Sequence, residues 1–169
     1  MDPTRALVID DEQIVLDSGR KILTEERYEV DTALSGREGL RKAIERDYEV
    51  VLTDIRMPDI GGMRVLRDVK RAKPTLPVVI ITGYATLRSA VQAMKLGAAD
   101  YLEKPFTPDQ LLKAVASALE VAATEEPEEQ SLIHTEEMLK VLERAATDAL
   151  DHYELTGPEK LALLTGDIT

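Results

Sequence analysis

A group of polar side chains at the ends of apolar runs in this 169-residue sequence suits phosphate chemistry. Its members are three carboxylates, a hydroxyl and an amine: Asp10, Asp11, Asp54, Thr82 and Lys104. A carboxylate can attack phosphorus or bind a hard divalent cation, an ammonium group neutralises anionic oxygens, and a hydroxyl donates a hydrogen bond. Phosphoryl transfer depends almost entirely on positioning and charge stabilisation of this kind. These side chains can do that chemistry only if the fold brings them together.

The segments between these residues alternate between short apolar runs and amphipathic stretches. The predicted strands are 6–9, 28–33, 50–52, 78–81 and 100–102, of which 28–33 reads as an edge strand. The predicted helices are about 12–26, 36–46, 62–72, 86–96 and 108–122. Five strands alternating with five helices indicate parallel β-α-β units, and continuously apolar strands indicate a sheet covered on both faces. The pattern predicts a doubly wound α/β domain over residues 1–122.

Several residues indicate where the helices begin and end. Ser35 and Glu38 are predicted to form a capping box, and Gly97 to end the fourth helix. Thr107 and Pro108 suit the cap and the first position of the fifth helix. The first helix is predicted to present one apolar face, formed by Ile14, Val15, Ile22 and Leu23.

On this framework each of the five polar residues falls at the carboxyl end of a strand, the edge at which open parallel sheets bind ligands. Two carboxylates about 5 Å apart repel by roughly 3 kcal/mol at an effective dielectric constant near 20. Lys104 offsets only part of the repulsion among Asp10, Asp11 and Asp54, so we expect a divalent cation there. Oxygen donors without His or Cys suit Mg²⁺. Asp54 would then attack phosphorus, with Lys104 and the Thr82 hydroxyl contacting phosphoryl oxygens.

Each of these residues also has a plainer explanation when it is taken alone. An Asp after a strand often caps a turn or a helix, a Thr at a strand end is often structural, and a Lys-Pro pair often marks a loop. Their occurrence together, in this order and at one edge, favours the site.

Four segments resemble the motifs of the response-regulator receiver family, across about residues 4–122. They are 7–12 (LVIDDE), 52–58 (LTDIRMP), 81–83 (ITG) and 100–106 (DYLEKPF). The resemblance implies a flavodoxin-like sheet with strand order 2-1-3-4-5. It also implies that a histidine kinase or a phosphotransfer protein supplies a phosphoryl group to Asp54. The stretch from 81 to 98 looks most like the receivers of enhancer-binding transcription activators.

The family's site residues carry over to matching positions. The implied Mg²⁺ ligands are Asp10 (partly through water), Asp11, Asp54 and the backbone carbonyl of Arg56. Lys104 and Thr82 would stabilise the phosphoryl group, and the Lys104–Pro105 peptide bond is expected to be cis.

Further positions match the family's switch and its control of phosphoryl lifetime. Thr82 and Tyr101 match the switch pair, whose movement would remodel the face of the fourth helix, fifth strand and fifth helix. Arg56 and Tyr84 match rate-tuning positions. Tyr101 could instead simply cover the core, and Arg56 and Tyr84 could be plain surface residues.

Composition limits the partners of the chain, whose net charge is −11. Residues 1–120 carry net −2 and residues 121–169 carry net −9. Because DNA phosphates are contacted by Lys and Arg, we expect no direct nucleic-acid binding. No apolar run reaches the roughly 18 residues of a membrane span, and no signal segment opens the sequence, so a cytoplasmic protein without a membrane partner is expected. The absence of Cys excludes disulfides and thiolate metal sites.

The segment after the predicted domain divides into an acidic linker, 123–130, and an acidic helical extension, 131–169. An apolar stripe in the extension is formed by Leu132, Leu139, Leu142, Ala146, Ala149 and Tyr153. The extension could be a solvated helix, pair with its copy in a homodimer, dock on the receiver or on a partner, or connect to a further domain.

Three functions remain open from the sequence. The first is a phosphorylation switch that controls an unknown downstream protein by contact and is not an enzyme beyond slow autodephosphorylation. The second is a regulatory fragment of a transcription activator without its ATPase and DNA-binding domains, since no Gly-x-x-x-x-Gly-Lys-Ser/Thr loop follows. The third is an aspartyl-phosphate phosphatase, although such enzymes commonly begin with Asp-x-Asp.

Overall fold

The structure is a computed structural model that describes residues 2–124 and Arg144. The strands are β1 (Arg5–Ile9), β2 (Glu29–Ala33), β3 (Val50–Thr53), β4 (Val78–Thr82) and β5 (Asp100–Glu103). The helices are α1 (Gln13–Glu25), α2 (Gly36–Glu45), α3 (Gly62–Ala72), α4 (Leu87–Lys95) and α5 (Pro108–Thr124). The strands form one parallel sheet in the order β2-β1-β3-β4-β5. This confirms the predicted fold class and strand order.

The sheet is covered by a hydrophobic core on each face, as the continuously apolar strands predicted. Leu7 and Ile9 belong to the core shared with α2, α3 and α4, whereas Ala6 and Val8 belong to the core shared with α1 and α5. Successive side chains of a strand point to opposite faces, so a strand buried on both sides must be apolar throughout. In β1, β3 and β4, polar side chains occur only at the ends of the strands. The polar groups therefore lie along the edge of the sheet and not within it.

The predicted helix ends are largely confirmed. The Ser35 hydroxyl accepts a hydrogen bond from the backbone N–H of Glu38 at 3.2 Å. The Glu38 carboxylate, however, accepts from the N–H of Leu34 instead of returning to Ser35, so only half of the capping box forms. Thr107 and Gln110 exchange both bonds of a complete box at the start of α5. Gly97 follows α4 with φ +96°, a conformation that favours glycine.

Ile14 does not share the buried face of α1, which corrects the sequence prediction. Its side chain is 74% exposed, whereas Leu16, Ile22 and Leu23 are buried. At about 100° per residue, Ile14 lies roughly 200° around the helix from Leu16 and therefore faces away from the sheet. Val15 packs against the core only in part.

Helix α5 runs to Thr124 and so includes the first two residues of the predicted linker. Ala123 is a strong helix former, which explains why the helix continues beyond residue 122. The rest of the linker, 125–130, and the predicted extension, 131–169, lie outside the described residues except for Arg144. Among the residues that the structure does describe, no helix has both the length and the apolar character needed to cross a bilayer.

Asp59, in the loop after β3, holds the first turn of α2. Its carboxylate accepts hydrogen bonds from the backbone N–H groups of Gly36 at 3.0 Å and of Arg37 at 2.8 Å. Burial alone would raise the pKa of Asp59, but these and other backbone N–H bonds outweigh it and lower the pKa. The Asp59 side chain thus supplies acceptors for two N–H groups that have no hydrogen-bond partner within the helix.

Replacing Asp59 with Ala is expected to lower the free energy of unfolding by about 1 kcal/mol at neutral pH, the usual effect of losing a cap. Because the folded-state pKa is lowered, this contribution is present above the unfolded-state pKa and is lost as pH falls through the folded-state pKa. Urea unfolding of the natural protein and of the Asp59→Ala variant, at neutral and at acidic pH, measures this contribution. Asp47→Ala is the control, since Asp47 is fully exposed. Equal destabilisation at both pH values would contradict the assignment.

Candidate functional site

Four acidic side chains meet at the carboxyl edge of the sheet. Asp10 follows β1 and Asp54 follows β3, and both are buried, with Asp10 0% and Asp54 3% exposed. Asp11 and Glu12 are exposed beside them. One carboxylate oxygen from each of the four lies within 4.8 Å of the others. The structure thus brings together the three predicted aspartates and adds Glu12.

Backbone hydrogen bonds fix the two buried carboxylates. The N–H of Asp10 donates to the carbonyl of Ala33, and the N–H of Asp54 donates to the carbonyl of Ile9, so both residues continue the sheet pairing. Asp10 Oδ1 then accepts from the N–H of Glu12 at 2.9 Å. Asp54 Oδ1 accepts from the N–H of Ile55 at 2.7 Å. In both residues the Oδ2 atom remains directed at a shared partner.

That partner is Lys104, which follows β5. Its Nζ atom lies 2.6 Å from Asp10 Oδ2 and 3.0 Å from Asp54 Oδ2, and 3.8 Å from Glu12 Oε1. The Lys104 N–H donates to the Thr82 carbonyl at 2.8 Å, which extends the β4–β5 pairing up to the lysine. The Lys104–Pro105 peptide bond is cis. One ammonium group therefore bridges the two buried aspartates.

The pKa values follow from burial and from this bridge. Burial raises the pKa of Asp10, and the hydrogen bond from Lys104 counteracts only part of that rise. Burial would lower the pKa of Lys104, but its hydrogen bonds to Asp10 and Asp54 outweigh burial and raise it. The two aspartates thus favour the charged form of Lys104, and the four carboxyl groups of the cluster outnumber this one ammonium group.

The donors fit a divalent cation of the Mg²⁺ kind. All four are carboxylates, and the oxygen-only set suits a hard ion that keeps some of its waters. Asp11 and Glu12 are exposed, which leaves the cluster open to solvent on one side. Glu12 was missed because sequence position alone does not show that the first residues after β1 turn back towards Asp54.

Thr82 and Tyr101 lie on the two strands next to the acidic cluster. Thr82 ends β4, is fully buried, and its Oγ1 atom accepts a hydrogen bond from the N–H of Tyr84 at 3.1 Å. Tyr101, on β5, is half-buried, and its hydroxyl lies 2.7 Å from Ser89 Oγ on α4. Burial raises the pKa of Tyr101. The Ser89 contact had no counterpart in the sequence analysis.

Arg56 and Tyr84 stack on each other. The guanidinium carbon of Arg56 lies 4.1 Å from the centroid of the Tyr84 ring, and the ring is 57% exposed. Arg56 lies two residues beyond Asp54 and Tyr84 two beyond Thr82. The cation–π pair therefore connects the loops that leave β3 and β4.

Gly62, the first residue of α3, packs against the backbone of Asp54. A Cβ atom built at this position would lie 1.8 Å from the Asp54 carbonyl oxygen. Only a residue without a side chain permits this approach, which sequence reasoning had no means to detect. By contrast, a Cβ atom at Gly83 would meet nothing within 4 Å.

Gly62→Ala is therefore expected to lower the free energy of unfolding by about 2 kcal/mol, because α3 or the Asp54 backbone must shift to admit the methyl group. Gly83→Ala is the matched control and is expected to change stability by far less. Urea unfolding of both variants measures the difference. If the two substitutions lower the free energy of unfolding equally, the contact with Asp54 does not exclude a side chain at position 62.

Comparison with known proteins identifies the family. A family model described as the response regulator receiver domain matches residues 6–116. The transcriptional regulatory protein GlrR of Escherichia coli (strain K12) is 34% identical over 146 residues, 85% of this chain and 33% of GlrR. The chain thus spans about a third of that relative's length.

Solved structures of receiver domains share the fold. A CheY-like receiver domain protein from Methanospirillum hungatei JF-1 has a TM-score of 0.72 at 34% identity, covering 74% of this chain and 100% of that chain. The beryllofluoride-activated NtrC4 receiver domain dimer has a TM-score of 0.67 at 38% identity, covering 70% and 98%. On these grounds the chain belongs to the response regulator receiver domain family of two-component signalling.

Proposed function

We propose that Asp54 accepts a phosphoryl group from a histidine kinase or a phosphotransfer protein, with Mg²⁺ bound beside it. The observation that carries this proposal is the position of the Asp54 carboxylate, which is buried, held by a backbone N–H, and shared through Lys104 with a second buried aspartate. Mg²⁺ would be held by Asp10, Asp11 and Asp54, with the Arg56 backbone carbonyl as a further ligand. When bound, the ion supplies positive charge that stabilises the phosphoryl oxygens.

The chain's own groups would position the reaction. The N–H of Ile55 fixes Asp54 Oδ1, so Oδ2 is the atom that points towards Lys104 and forms the bond to phosphorus. The bond between phosphorus and the donor's nitrogen or oxygen breaks, and the electron pair leaves with the donor. Lys104 Nζ then neutralises a phosphoryl oxygen, and the Thr82 hydroxyl donates to another.

The proposed output is a change at the face formed by α4, β5 and α5. Thr82 and Tyr101 would form the switch, since Thr82 ends β4, which pairs with β3, and Tyr101 lies on β5, the next strand beyond β4. The remodelled face would contact a downstream protein or a second copy of the chain. The solved NtrC4 receiver is a dimer, which supports testing for a homodimer here. We propose a cytoplasmic location, where such kinases present their phosphoryl groups.

Labelling tests the proposal directly. The protein is incubated with acetyl phosphate with and without Mg²⁺, and its intact mass and its solution mass are measured. We expect one phosphoryl group per chain in the presence of Mg²⁺ and little labelling in its absence. Labelling that is indifferent to Mg²⁺, or repeated turnover of a phosphate ester, would contradict a metal-assisted switch and favour a phosphatase.

The Arg56–Tyr84 pair is proposed to slow hydrolysis of the aspartyl phosphate by crowding the attacking water. Replacing both residues with Ser is expected to shorten the phosphoryl lifetime several-fold, because two small side chains leave the attacking water free to approach. The decay of the label after removal of the donor measures this. Arg67→Ser, on the exposed face of α3, is the control. An unchanged lifetime in the double variant would refute the proposal.

A second candidate is that the chain is the receiver part of a transcription regulator, which the match to GlrR over 146 residues favours. Its output would then pass to domains beyond this sequence, because the acidic charge of residues 121–169 opposes direct DNA contact. Both candidates therefore predict that this chain alone does not bind DNA, which a mobility-shift assay tests. Specific DNA binding by this chain alone would contradict output through protein contact.

A further inference from the structure

The hydroxyl of Ser89 is the centre of a hydrogen-bond cluster at the start of α4. Ser89 Oγ accepts from the N–H of Thr86 at 3.1 Å, lies 2.9 Å from Thr86 Oγ1 and donates to the Thr86 carbonyl at 3.1 Å. The Ser89 N–H in turn donates to Thr86 Oγ1 at 3.0 Å, which completes a capping box. The phenol oxygen of Tyr101, twelve residues away on β5, is a further partner at 2.7 Å.

We propose that Ser89 is a positioning residue whose hydroxyl ties the Tyr101 phenol to the first turn of α4, so that tyrosine and helix end move as one unit. Capping alone does not require the Tyr101 contact, because the box between Thr86 and Ser89 is complete without it. The link therefore adds a connection between α4 and β5 that the helix does not need for its own formation. Its effect on signalling rests on the proposed phosphorylation of Asp54, whereas the link itself does not.

The arrangement of donors and acceptors makes this link exchangeable. A serine hydroxyl has one hydrogen and two lone pairs, yet Ser89 Oγ has four neighbours within hydrogen-bond distance. Not all four can be satisfied at once. The Tyr101 phenol can consequently leave while the capping bonds between Thr86 and Ser89 remain, but the start of α4 then loses its anchor to β5 and opens more readily.

A short loop joins this cluster to the end of β4, the strand that pairs with β3. Thr82, at the end of β4, accepts from the N–H of Tyr84, and Tyr84 lies in the short loop that leads to Thr86. A turn of the Thr82 hydroxyl towards a phosphoryl oxygen at Asp54 would lengthen its bond to Tyr84 and shift that loop. The shift would reach Thr86 and Ser89, and through them the phenol of Tyr101.

Amide hydrogen exchange of the whole chain tests the link without any phosphoryl donor. Tyr101→Phe removes only the phenol oxygen and is expected to lower the protection of the Thr86 and Ala90 amides about fivefold. Ser89→Ala is expected to lower it further, and the double variant should resemble Ser89→Ala alone, since both remove the same contact. Ser89→Thr keeps the hydroxyl and should restore most of the protection. If Tyr101→Phe leaves the protection of those amides unchanged, Ser89 only caps α4 and does not couple the helix to Tyr101.

The same variants, exposed to acetyl phosphate and Mg²⁺, test the coupling. Ser89→Ala should be labelled at Asp54 within twofold of the natural rate but lose most of the phosphorylation-induced change in exchange over α4. Retention of that change in Ser89→Ala would overturn the proposal. Absence of labelling in the natural protein would instead overturn the proposed function, and the exchange of the unlabelled variants still decides whether the link exists. If Ser89→Ala does not fold, Tyr101→Phe and Ser89→Thr decide it.

Discussion

Lys104→Met is expected to lower the free energy of unfolding by about 4 kcal/mol at neutral pH, because it leaves two buried carboxylates without their shared cation. Lys104 Nζ bridges Asp10 Oδ2 and Asp54 Oδ2, and those two residues are 0% and 3% exposed. Methionine preserves the length of the side chain and removes its charge, so packing changes little. Urea unfolding of the variant and of the natural protein in a chelating buffer measures the loss.

Two conditions should reduce that loss in the Lys104 variant. Mg²⁺ should stabilise the variant more than the natural protein, because no ammonium group competes with the ion for Asp10 and Asp54. Lower pH should also help the variant, since protonating one carboxylate removes the repulsion between them. Lys113→Met, at an exposed position of α5, is the control and should respond to neither condition. A deficit that is unaffected by Mg²⁺ would show that the lysine acts by packing alone.

Asp54→Asn is expected to abolish labelling by acetyl phosphate or a kinase, because an amide oxygen is too weak a nucleophile to form the bond to phosphorus. The substitution keeps the shape of the side chain and removes one of two buried like charges, so the folded state should be at least as stable as that of the natural protein. Intact mass and urea unfolding measure the two effects. Asp47→Asn, on the exposed surface, should be labelled normally. Persistent labelling of Asp54→Asn would assign the acceptor to another residue.

The sheet and most of the site could be predicted because they depend on local pattern and on one general rule. Apolar runs define the strands, and parallel strands place their carboxyl ends at one edge, so Asp10, Asp54 and Lys104 were expected at the same edge once the strands were assigned. The cap formed by Thr107 is similarly local, as it involves a residue three positions along the chain.

What sequence reasoning missed depends on the path of the backbone. Ile14 was misassigned because an apolar residue near a helix start was given to the core face, whereas its angle around α1 exposes it. Gly62 and Ser89 owe their importance to contacts with residues eight and twelve positions away, at Asp54 and Tyr101. No residue type or spacing signals such a contact. These are the features for which coordinates are needed.

The tight packing of Gly62 on Asp54 has a directional consequence for the domain. On the α3 side of Asp54, a methyl group at position 62 would already overlap the Asp54 carbonyl, so displacement of the Asp54 backbone towards α3 is sterically blocked. On the β4 side, Gly83 has open space around it and residues 83–86 are exposed. We therefore expect a displacement caused by added bulk at Asp54 to be taken up by the loop after β4, which leads into α4, and not by α3.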